Sequence, residues 1–264
     1  MDVKFEKRTL KGQTKSMLAV DFKRLFISPI FYIMLGVSLV IPILILVMTT
    51  MMEGTVSVDP QTGAETVMKG FKNVWQIIGS TGSSMSMDLT GMCNINMMYF
   101  LIAVFVCVFI ADDFRSGYSK NLFTVRAKKT DYVVSKVVTC FVVGALMLIT
   151  FFIGAMIGGK VAGLSFTIES ATAYNVVMSM LAKIFLVMIF VAIFVLAAVI
   201  AKQRLWLSII LSLGIGMLFF TMVPIVTPLN AGILNAGLSL IGGILFSLLF
   251  GYLSTLILNK RDLI

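Results

Sequence analysis

LWLSIILSLGIGMLFFTMVPIVTPLNAGILNAGLSLIGGILFSLLFGYLSTLILN, residues 205–259, contains no Asp, Glu, Lys or Arg. A bilayer core about 30 Å thick takes roughly 20 apolar residues per helix. The run is too long for one crossing and suits two joined by a turn. Pro224, Pro228, Asn230 and Gly232 supply that turn, which predicts helices over 205–223 and 236–258. The same criterion works outward along the chain. Charge is absent from Leu25 to Met52, from Leu89 to Ala111 and from Val137 to Gly159. The stretch from Tyr174 to Ala201 carries one charge, Lys183. These segments predict spans over 30–52, 89–111, 134–159 and 174–201, six in all.

Composition agrees. Of 264 residues, 59% are hydrophobic and 12% charged, against about 25% charged in soluble domains. The mean hydropathy is +1.04, more apolar surface than a soluble domain of this length hides. The first run is expected to be a retained helix rather than a cleaved leader, since it exceeds a signal-peptide core and follows a long basic segment. With no His at all, the chain lacks the commonest metal ligand and the side chain best suited to proton relay near neutral pH. Cys93, Cys107 and Cys140 each sit among apolar residues without a CxxC, so they read as small hydrophobes rather than disulfide or zinc ligands.

The net charge of +9 acquires meaning from its distribution. Lys4, Lys7, Arg8, Lys11, Lys15, Lys23 and Arg24 precede the first span. Arg115, Lys120, Arg126, Lys128, Lys129 and Lys136 join the second to the third. Lys202 and Arg204 follow the fourth, and Lys260 and Arg261 the sixth. Only Lys69, Lys72, Lys160 and Lys183 fall to the other side. The richer side is expected to be cytoplasmic, with both termini inside.

The connections carry further signals. Residues 14–28, TKSMLAVDFKRLFIS, place Leu18, Phe22, Leu25 and Phe26 on one helical line with basic residues off it. Pro29 suits the start of a new helix, so an amphipathic elbow helix is predicted ahead of the first span. The loop over 53–88 places Phe71, Val74, Trp75 and Ile78 at helical spacing, which predicts an amphipathic helix on the outer face; a small external cap is the competing reading. The segment IADDFRSGYSKNLFTVRAKKTDYVVSK, residues 110–136, is long enough for a short helix, with Leu122, Phe123 and Val125 as apolar points and Gly117 free to turn, but composition alone favours an ordinary solvated cytoplasmic loop.

Chemistry of its own is scarce. There is no GxxxxGK[ST] phosphate loop. Gly12-Gln13-Thr14-Lys15-Ser16 resembles only the end of one, without its first glycine or a preceding strand. No catalytic Ser/His or Cys/His set and no HExxH metal site exists, so neither catalytic nor metal-binding residues are assigned. The adjacent Asp112 and Asp113 do not face each other on a helix and read as boundary or capping residues. Lys183, read as lying close to the outer boundary, is expected to snorkel. Gly154 and Gly158, and the row Gly243, Ser247, Gly251 and Thr255, read as close helix-packing stripes. Pro42 is expected to kink the first span.

In these features the chain resembles the permease subunits of the ABC-2 type ABC transporter family. The resemblance rests on six spans with both ends inside, a basic amphipathic N-terminal helix, IADDFRSGYSKNLF after the second span, and the ending LNKRDLI. That family commonly places an acidic residue and, four positions on, a glycine directly after its second span, matched here by Asp113 and Gly117. Its frequent basic–Asp–Leu ending is matched by Lys260, Arg261, Asp262 and Leu263. The chain departs from the pattern in having Asp where Glu is usual and Tyr118 where Thr is common.

The resemblance implies an all-α integral membrane protein with six transmembrane helices, an N-terminal amphipathic elbow helix and a cytoplasmic coupling helix, forming a single permease domain over 1–264. Residues 1–29 would be the cytoplasmic segment with the elbow, 53–88 an extracellular loop and 112–133 the cytoplasmic coupling loop. It further implies a multi-pass protein of a prokaryotic plasma membrane. Its partners would be two ABC ATPase subunits, a second permease copy or a related permease, and membrane lipids, with no nucleic acid. ATP and Mg would sit on the ATPase, no cofactor on this chain. The coupling contact would involve Asp113, Phe114, Arg115, Gly117, Tyr118, Lys120, Leu122, Phe123 and Arg126, with the elbow residues Leu18, Phe22, Leu25 and Phe26 nearby. Uncharged spans suit an amphipathic or lipid-like molecule, and the resemblance implies export of an antimicrobial peptide or a hydrophobic drug. The competing class is a non-transporting membrane sensor or docking protein with a signalling partner. A membrane enzyme is disfavoured by the missing His and the scarcity of intramembrane carboxylates.

Overall fold

The computed structural model describes residues 10–58, 65–67, 70–79, 93–124, 128–168 and 171–260. It is a helical bundle. Among the described residues, five helical segments are long and apolar enough to cross a membrane: Pro29–Met51, Ile95–Arg115, Lys129–Val161, Ala173–Ala201 and Ile233–Lys260. A further apolar helix, Leu205–Phe220, has 16 residues. At 1.5 Å per residue it is about 24 Å long, shorter than the roughly 30 Å hydrocarbon core. Of the six expected spans, five correspond among the described residues to helices of spanning length and one to this shorter helix.

α1 (Leu10–Ile27) ends where Ser28 turns extended, with φ −71° and ψ 123°, and Pro29 opens α2 (Pro29–Met51). Proline pushes its predecessor out of the helical region and has no N–H to lose at a first helical position. The break is thus local chemistry, and α1 is a helix separate from α2. The string Gly12–Ser16 lies inside α1 and is no phosphate loop. α2 runs unbroken through Pro42.

Beyond α2, a two-stranded antiparallel ribbon pairs Val56–Val58 with Glu65–Val67. The expected amphipathic helix around Trp75 is instead one 3-10 turn, Val74–Ile77, capped by the Asn73 side chain. Phe71, Val74, Ile77 and Ile78 are all buried. The turn is fastened by the Val74 N–H to the Ser165 carbonyl at 3.2 Å and by the Trp75 indole N–H to the Phe166 carbonyl at 2.9 Å. These tertiary bonds make it a plug on the bundle end rather than a helix lying free.

The second span begins late. After a 3-10 turn at Ile95–Met97, α3 covers Met98–Arg115; residues 89–92 lie outside the described residues. Its end runs past the expected 111 and takes Asp112 and Asp113 into the last turn. α4 (Tyr118–Thr124) follows, then α5 (Lys129–Val161), α6 (Ala173–Ala201), α7 (Leu205–Phe220), the single turn α8 (Val223–Val226) and α9 (Ile233–Lys260). The expected span over 205–223 closes at Phe220, and Pro224 and Pro228 occupy the turn before α9.

α6 is the central helix, 78% buried over its most apolar window, whereas α2 and α9 are peripheral at 22% and 17%. α2 lies on α5 because α5 offers no side chain there. A Cβ on Gly154 would collide with the Leu39 carbonyl oxygen, and one on Gly158 would stand 2.7 Å from Ile43 Cα. α9 lies on α6 through Gly243, which faces the Phe185 carbonyl and Met188, and Ser247, whose hydroxyl donates to the Met188 carbonyl at 3.2 Å. Both small-residue stripes therefore serve packing within the chain.

Candidate functional site

At one end of the bundle α1, α3 and α5 converge on four buried or half-buried charges. The Lys136 ammonium lies 2.7 Å from Asp21 Oδ1 and 2.7 Å from Asp113 Oδ2, with all three side chains essentially out of contact with solvent. The Arg24 guanidinium reaches Asp113 Oδ1 at 2.6 Å and, more loosely, the exposed Asp112 at 3.5 Å. Two neutral donors complete the carboxylates: Ser135 Oγ donates to Asp21 Oδ2 at 2.6 Å and the Tyr132 hydroxyl to Asp113 Oδ2 at 2.9 Å.

The arrangement balances. Two carboxylates meet two cations inside the protein, and every buried oxygen has a hydrogen-bond partner. This is the condition under which buried ions are tolerated at all. Aromatic faces enclose the group: Arg24 lies 4.3 Å from the Tyr118 ring centre, and Lys136 lies 4.4 Å from that of Phe109. Burial works against the Arg24 charge, but Asp113 and then Asp21 outweigh it, so its pKa lies above the ordinary arginine value. Burial, and next the Asp21 carboxylate, push the Tyr118 phenol above its usual value.

Gly117 makes the path out of this cluster. It has φ +73°, in the left-handed region that favours glycine, and lets the chain turn from the end of α3 directly into α4. Ser119, buried at the start of α4, donates to the Asp113 carbonyl at 3.2 Å. α4 is thereby tied to the same aspartate as α1 and α5. A second set of bonds holds the adjoining end of α7: Arg115 Nε donates to the Gln203 carbonyl at 3.1 Å, and Gln203 Nε2 to the Phe114 carbonyl at 3.3 Å.

Of the residues singled out from the sequence, the structure brings Asp113, Phe114, Arg115, Gly117, Tyr118, Leu122 and Phe123 into or beside this region. Phe114 is buried and Lys120 is exposed. Phe123 stacks edge-on against Tyr132 at 5.4 Å. Arg126 lies outside the described residues. On α1, Leu25 is buried, Leu18 and Phe22 are half-buried and Phe26 is 50% exposed, while the line packed into the bundle is Met17, Asp21, Leu25. Asp21 turns inward because Lys136 and Ser135 await it. Asp113, in the last turn of α3, is the centre of the cluster. Asp21 and Lys136 were missed altogether; the one available signal was an acid at i+4 from Met17 and i−4 from Leu25 on an otherwise apolar line.

Lys183 also departs from expectation. It is buried, 1% exposed, with its ammonium held by Asn96 and Thr227 rather than extended to the surface. Among the described residues there is no group of three or more Cys, Asp or Glu able to hold a metal.

A bundle of long apolar helices, with four charges gathered in a neutral knot at one end, defines a multi-pass membrane protein. The ABC-2 family transporter protein profile matches residues 17–224, and the chain belongs to that family. It is thus a membrane transport component of a family that implies an ABC ATPase partner. No curated protein and no solved structure matches the chain.

Proposed function

We propose that this chain is the membrane-spanning subunit of an ATP-driven exporter, that α1 is its elbow helix and that α4 is the coupling helix seated on the ATPase. In this reading the knot lies at the cytoplasmic end, where the basic segments gather, and both termini are cytoplasmic. α7 counts as the sixth span, its short length made up by the α8 turn. ATP and Mg belong to two ATPase subunits, and a second permease, identical or related, completes the pore. The transported molecule is an antimicrobial peptide, a hydrophobic drug or a lipid-like compound, in keeping with spans that carry one charge in their interior.

The observation carrying the reading is the shared aspartate. Asp113 holds Arg24 of α1, Lys136 of α5 and, through its carbonyl, Ser119 of α4. A push on α4 therefore moves three helices together instead of bending a loop. An ATPase can shift the transmembrane arrangement only if it binds one arrangement better than the other, and a stiff link makes that difference felt at the spans.

The test is co-purification of the ATPase with transport measured alongside. Gly117→Pro abolishes the positive φ that α4 requires, and Arg126→Glu reverses a charge on the expected docking face. Loss of ATPase recovery with the permease still folded supports the assignment. Full recovery and full transport in both variants would remove it.

A further inference from the structure

Lys183 stands ten residues into α6, about 15 Å from the start of the helix, at the opposite end of the bundle from the knot. Its ammonium has three protons and three acceptors: Thr227 Oγ1 at 2.8 Å, Asn96 Oδ1 at 3.0 Å and the Thr227 carbonyl at 3.2 Å. Among the described residues no carboxylate lies within ion-pair distance of it. The acceptors come from two other segments. Asn96 belongs to the 3-10 turn that precedes α3, and Thr227 to the turn between α8 and α9.

Each partner is itself held. The Thr227 hydroxyl donates to the Val223 carbonyl at 2.8 Å, and Asn235 ties the same turn through the Val226 carbonyl at 3.0 Å. The Asn96 N–H donates to the Asn94 side chain at 2.9 Å. The Tyr99 hydroxyl donates to the Lys183 carbonyl at 3.0 Å. One side chain thus joins the entrance of α3, the body of α6 and the turn into α9.

We propose that Lys183, Asn96 and Thr227 form a reversible clasp that closes this end of the bundle and lets go when the helices move apart; its role as a gate rests on the transporter reading above. The chemistry favours reversibility. Separating a buried ion pair strands two charges and is strongly opposed. Separating an ammonium from a carbonyl, a hydroxyl and an amide is different. Opening admits water, which replaces each bond with one of similar strength. The closed clasp is complete, the open one is hydrated, and neither leaves a charge unpartnered.

The test uses a thiol reporter in the closing turn. Ala231 is fully buried, and Ala231→Cys in a Cys93→Ser background gives one reporter beside the clasp. Cys107 and Cys140 are buried in the core and register unfolding. The protein is placed in nanodiscs and labelled with a water-soluble maleimide, with no ATPase present, so the outcome is independent of ATPase docking. Thr227→Val, which keeps the shape, and Lys183→Met are each expected to raise labelling at position 231 by about tenfold or more, with Cys107 and Cys140 untouched. A rate at 231 that is unchanged or slower in both variants would show that the lysine merely fills space. A rise that appears only together with labelling of Cys107 and Cys140 in both variants would show general loosening. Either result overturns the clasp.

Discussion

The two ends of the bundle bury cations in opposite ways. At the knot, Lys136 and Arg24 face Asp21 and Asp113, and charge is answered by charge. At the other end, Lys183 faces, among the described residues, an amide oxygen, a hydroxyl and a carbonyl and no carboxylate. The first arrangement is costly to open, because losing any partner leaves an uncompensated charge in a medium that solvates it poorly. The second exchanges neutral acceptors for water. The difference suggests a division of work: one end moves as a unit, and the other can open.

The largest effect is expected at the shared lysine. Lys136→Met leaves the carboxylate of Asp21 buried with only Ser135, and should cost about 3–5 kcal/mol, measured as thermal or denaturant stability of the purified protein. Next comes Tyr132→Phe, which removes a hydrogen bond to a buried carboxylate and should cost about 1.5–3 kcal/mol. Gly117→Ala should cost about 1–2 kcal/mol from the left-handed conformation alone, since nothing crowds a Cβ there. The smallest effect on global stability is expected from Lys183→Met, a change of about 1 kcal/mol or less in either direction, because a buried cation is exchanged for a hydrophobe of similar length. A loss there as large as that of Lys136→Met would erase the contrast between the two ends.

Much of this was legible in the sequence because a membrane imposes a simple rule. Charge-free runs located the apolar helices, and Pro29 located the break before α2. The charge-bearing residues were harder to place. Nothing in the local pattern of α1 marks Asp21; Ser135 and Lys136, the latter 115 positions away, turn it in. Asp113 read as a cap because α3 was expected to stop at the first charge, whereas neutralisation by Arg24 and Lys136 lets the helix continue to Arg115. Lys183 was placed by counting back from Ala201 and assumed to need water. Asn96 and Thr227, from distant segments, supply acceptors that no local pattern announces. The Trp75 segment had helical spacing but too few residues free of tertiary hydrogen bonds to use it.

The central claim is that the knot acts as a single neutral unit, and a charge-restoring pair tests it most directly. Unfolding free energies are compared for wild type, Asp21→Asn, Lys136→Met and the double variant. Lys136→Met alone strands Asp21, while the double variant leaves Asp113 paired with Arg24 and the buried charge balanced. The account predicts that the double variant recovers most of what Lys136→Met loses, a coupling of about 1.5–3 kcal/mol. Losses that simply add, with the double variant the least stable of the four, would contradict it.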